Sequence, residues 1–93
     1  SIADTVDVVR ALLAIGGGAE RAPLRTFLLM YRADPEFAKA DALIAATVDA
    51  LAGASVEDRE LLRFVADDPR TLAPVAAVAK LGAARPLVAP PKP

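Results

Sequence analysis

The sequence predicts an all-α protein: a single-domain bundle of about five short helices with a Pro-rich C-terminal tail. Three observations predict it. Apolar residues recur at spacings of three and four, the period of a helix with one buried face. No stretch alternates apolar and polar residues as a half-buried strand would. Glycines and prolines punctuate the periodic segments at positions where helices stop and start. A chain of 93 residues fits one domain, here residues 1–83, with residues 84–93 as a tail or linker.

The first predicted helix runs from Ile2 to about Ile15, with Ser1 as N-cap and Asp4 and Asp7 near its positive end. Ile2, Val6, Val9 and Leu13 form its apolar stripe, opposite Asp4, Asp7 and Arg10. Gly16-Gly17-Gly18 stops it, because three glycines cost too much backbone entropy to continue a helix. The second helix runs from Glu20 or Pro23 to Ala33, with Leu24, Phe27, Leu28 and Tyr31 on one face. Leu29 and Met30 project elsewhere. A helix apolar nearly all round sits centrally or meets a second surface.

Asp34-Pro35-Glu36 is the clearest helix start: a capping carboxylate, a proline where no N–H is needed, and an acid in the first turn. The third helix is expected to continue unbroken to Gly53, with Phe37, Ile44, Val48 and Leu51 inward and Ala38, Ala42, Ala45 and Ala46 behind. Asp41 falls beside that inward stripe, where a carboxylate needs an arginine partner at the rim. The fourth helix starts at the N-cap Ser55, carries Leu61, Leu62, Phe64 and Val65 on its apolar side, and stops at Asp67-Asp68-Pro69. The fifth begins near Thr71, tolerates Pro74 in its opening turn and ends at Gly82. The expected core is Val6, Val9, Leu13, Leu24, Phe27, Leu28, Tyr31, Phe37, Ile44, Val48, Leu51, Leu61, Leu62 and Val65.

The tail holds four prolines between Pro86 and Pro93, so it is read as extended chain. A helical module before such a tail fits a piece of a longer protein, or a small protein that has lost its initiator Met. The amino terminus carries acid rather than base, and no apolar run reaches the ~18 residues of a membrane span, so a cytoplasmic protein is expected. Arginine outnumbers lysine and alanine fills about a quarter of the chain, a coding bias of GC-rich bacterial genomes.

Missing residue types narrow the chemistry. The chain has no Cys, His, Trp, Asn or Gln. Thiolate nucleophiles, zinc ribbons, iron–sulfur clusters and a Ser-His-Asp or Cys-His arrangement are therefore impossible within it. The acidic clusters Glu57-Asp58 and Asp67-Asp68 lack the spacing of a calcium loop. No catalytic residue, cofactor or metal is expected. With 11 basic and 12 acidic residues, the net charge of −1 lacks the footprint of a nucleic-acid binder. Gly16-Gly17-Gly18 has neither the Lys-Ser/Thr ending nor the preceding strand of a phosphate-binding loop.

What remains is surface. Arg21, Arg25 and Arg32 fall on one side of the second helix, near Leu29 and Met30. A basic stripe beside surplus apolar residues fits an acidic, partly apolar partner. The acidic set Glu57, Asp58 and Glu60 would let one copy meet the basic stripe of another, head to tail. The function expected is a non-enzymatic protein–protein interaction module: an adaptor, docking domain or small subunit, possibly of its own oligomer. Partner-binding candidates are Arg21, Arg25, Leu29, Met30 and Arg32, with another protein or a second copy as partner and no membrane or small-molecule substrate.

One resemblance points elsewhere. Leu61 to Arg70, Val75 to Gly82 and Ala84-Arg85-Pro86 resemble the opening of bacterial winged-helix regulators. The resemblance implies a helix ending in an Asp-Pro-Arg turn, an Ala-rich helix, and then a DNA-recognition helix. It covers the last third of the chain and departs after Pro86, where Leu87-Val88-Ala89-Pro90-Pro91 stops any further helix. A DNA-binding regulator, or a degenerate relative of one, is the alternative function.

Overall fold

The computed structural model describes residues 21–87, together with Asp7 and Ala11. It is all-α, with five helices and no strand among the described residues: α1 (Arg21–Tyr31), α2 (Pro35–Ala38), α3 (Asp41–Leu51), α4 (Val56–Asp67) and α5 (Ala73–Ala83). The helix predicted over 2–15, its stripe Val6, Val9 and Leu13, the Gly16–Gly18 stop and the tail from 88 onward lie outside the described residues. Asp7 and Ala11 are both helical and exposed.

Four of the predicted helices fall on the described residues and five helices are observed there, because the segment from Asp34 to Gly53 is two helices, not one. Its start is as expected: the Asp34 side chain accepts from the Glu36 N–H at 2.8 Å, with Pro35 opening the helix. After one turn the bonding tightens, and the Ala40 N–H reaches Phe37 O at 2.9 Å instead of a carbonyl four residues back. Ala40 then leaves helical geometry with ψ of 69°. The break places Asp41 in the first turn of α3, exposed, where the helix dipole favours its charge. The expected arginine partner is therefore not needed, and none pairs with Asp41 among the described residues. At the other end Gly53 takes φ of 72°, the left-handed conformation that glycine adopts without strain.

Ser55 caps α4 as expected, its Oγ accepting from the Asp58 N–H at 3.0 Å. α5 ends at Ala83, one residue past the expected end at Gly82, but Gly82 has another use. It lies inside the helix, buried, and a Cβ built there would sit 2.5 Å from Val48 Cγ1 and 3.2 Å from Leu62 Cδ1. Its role is close approach: α5 settles against α3 and α4 because position 82 has no side chain.

The core joins all five helices. Phe37, Leu28, Ile44, Leu51, Leu62, Val48, Val65 and Val75 are fully buried, and each contributes about 1.5–3 kcal/mol of apolar burial. Phe27 meets Phe37 edge-on at 5.2 Å and Tyr31 at 4.9 Å. Leu43, Val75, Ala79 and Ala83 join the expected set, while Tyr31 and Leu61 are only partly buried at its margin. Phe64, expected on the apolar side of α4, is instead 48 % exposed. Thr47 is buried without a penalty because its hydroxyl donates to Leu43 O at 2.8 Å. No helix among the described residues is long and apolar enough to cross a membrane.

Candidate interaction surface

The spacing of Arg25 on α1 and Arg32, one residue past its end, sets the geometry. Arg25 and Arg32 are seven residues apart, and both reach toward the same neighbouring helix. That helix is α4. Arg25 Nη1 donates to Asp58 Oδ1 at 2.7 Å, and its Nη2 lies 3.7 Å from Glu57. Arg32 Nη2 donates to Asp68 Oδ2 at 2.9 Å, and its Nη1 donates to Leu29 O. The earlier arginine meets the earlier carboxylate and the later meets the later, so α1 and α4 run side by side in the same sense. The backbone closes the far end, where the Leu72 N–H donates to Arg32 O at 3.0 Å.

Burial separates these contacts from ordinary surface pairs. Asp58 has no exposed surface, because it sits on the inner side of α4 with Leu62 and Val65. An unpaired carboxylate there would cost several kcal/mol, and Arg25 is a partner that helps make the position tolerable. Asp68 is also nearly covered and accepts from both sides. Besides Arg32, it takes the Arg70 N–H at 2.9 Å and the Arg70 guanidinium at 3.2 and 3.3 Å. The backbone N–H of Arg70, then its side chain, then Arg32 hold the Asp68 carboxyl well below the usual carboxylate range. The same side-chain bond raises the Arg70 guanidinium above its ordinary value. The clasp has a cost, since Arg32 Nε is buried with no hydrogen-bond partner. Its guanidinium also lies 5.4 Å from the centre of the Phe64 ring, backing that half-exposed aromatic with positive charge.

The five candidate residues thus separate by location. Arg21 opens α1, but its side chain lies outside the described residues. Arg25 and Arg32 face α4. Leu29 is partly buried against the core, and Met30 turns outward, 68 % exposed. The acidic set expected to meet another copy is also engaged within the chain: Asp58 is buried on Arg25, Glu57 is near it, and Glu60 pairs with Arg63 at 3.3 Å. Asp58 therefore has nothing to offer the basic stripe of a second molecule.

Sequence reasoning missed Phe64, Val56 and Leu81, which are 48, 59 and 70 % exposed. The helical wheel of α4 carries the signal for two of them. Val56, Glu60, Phe64 and Asp67 fall on one arc, away from Asp58, Leu62 and Val65. Phe64 leads into a shallow open groove with Asp67, Asp68, Pro69 and Arg70. A second shallow groove lies between Arg63, Ala66 and Asp67 of α4 and Lys80, Ala83 and Ala84 at the end of α5. No group of three or more acidic side chains among the described residues is placed to hold a metal ion.

The helix pair and Asp-Pro-Arg turn implied by the winged-helix resemblance are present as α4, residues 68–70 and α5. Residues 84–87 are not helical, and the described chain contains no strand that would form a wing. No protein family, curated protein or solved structure matches the chain.

Proposed function

We propose that this protein is a non-enzymatic helical interaction module, an adaptor, docking domain or small subunit that binds another protein or a second copy of itself. The carrying observation is Met30. The described helices close a core of their own, yet a long, flexible apolar side chain stands 68 % exposed on α1. Met adapts to irregular partner surfaces, and exposed apolar side chains beside charged ones are what docking faces use. Leu29 flanks the contact. Arg25 and Arg32 contribute by fixing α1 against α4, and Arg21 lies at the start of the same helix. The sequence also lacks every residue type on which a thiol or imidazole mechanism would depend.

A photo-crosslinking amino acid at position 30 tests this reading, with the exposed Glu36 position as control. In the purified protein and in concentrated bacterial extract, position 30 should give one discrete adduct that position 36 does not. A dimer band identifies a second copy, and a larger band identifies a different protein. Equal, diffuse labelling at both positions would overturn the proposal.

A further inference from the structure

We draw no further inference here: the strongest candidate, the shallow groove at the α4–α5 corner where the half-exposed Phe64 ring and Pro69 lie between Asp67 and Arg70, is an apolar-edged surface, and nothing in the structure shows what covers it.

Discussion

Two seams hold the described helices together, and they are built from opposite materials. Where α5 meets α3 and α4, the contact is apolar and close: Val48, Leu62 and Ala52 lie nearest to Gly82. Where α1 meets α4, charged pairs join the two, with Arg25 on Asp58 and Arg32 on Asp68. The first seam tolerates any partner of the right volume. The second constrains which way α1 lies, since a slip in register would part Asp58 from Arg25. A buried pair of this kind adds less stability than its short distance implies, because both groups lose water. Its contribution here is orientation, and that orientation sends Met30 outward.

Substitutions should separate the seams. The largest effect is expected in the apolar one: Leu62→Ala removes a fully buried side chain and should cost about 3–4 kcal/mol in denaturant unfolding. Arg25→Ala should cost about 2 kcal/mol, less than a fully enclosed pair because the Arg25 side chain keeps 27 % of its exposure. Gly82→Ala should be destabilising by about 1–2 kcal/mol even though alanine is the better helix former. Its new methyl meets the stiff, β-branched Val48, and adding Val48→Ala should recover part of the loss. A Gly82→Ala variant as stable as wild type would mean that the apolar seam is looser than described.

The Asp68 corner gives a smaller, pH-dependent effect. Its carboxyl is held low in the folded state, so its contribution is complete above the unfolded value of about 3.9 and fades as pH falls below that. The difference in unfolding midpoint between wild type and Asp68→Asn should therefore be constant from pH 7 to 5 and narrow from pH 4 downward. Smallest of all is Arg85→Ala. Its bond to Asp49 is short at 2.6 Å, but both side chains are about half exposed, so the loss should stay within about 0.5 kcal/mol.

How much of this was legible depends on whether a feature is local. Caps and stops are local chemistry, and Asp34-Pro35, Ser55 and Gly53 all act where the sequence places them. The inward stripe of α3 and the apolar face of α1 also follow from spacing. The break at Lys39-Ala40 was not legible, since neither residue is a glycine or proline and Phe37 falls on the same stripe as Ile44, Val48 and Leu51. Gly82 read as a stop because glycine usually is one; only the approach of Val48 reveals the other use. The arginines of α1 were legible as a stripe, but not as one facing α4. Charge pattern identifies a polar face without saying whether water, a partner or the same chain covers it. Phe64 illustrates the converse, an apolar residue assigned inward by type and placed outward by its angle on α4.

Arg25 and Arg32 bind their own chain and so define what α1 presents outside. A double-mutant cycle on Arg25 and Asp58, using Arg25→Ala, Asp58→Asn and the combination, tests it most directly. Unfolding free energies should show a coupling of about 1.5 kcal/mol or more, as for a desolvated pair. A coupling below about 0.5 kcal/mol, the value of an exposed ion pair, would show that Arg25 faces solvent and is free to meet a partner.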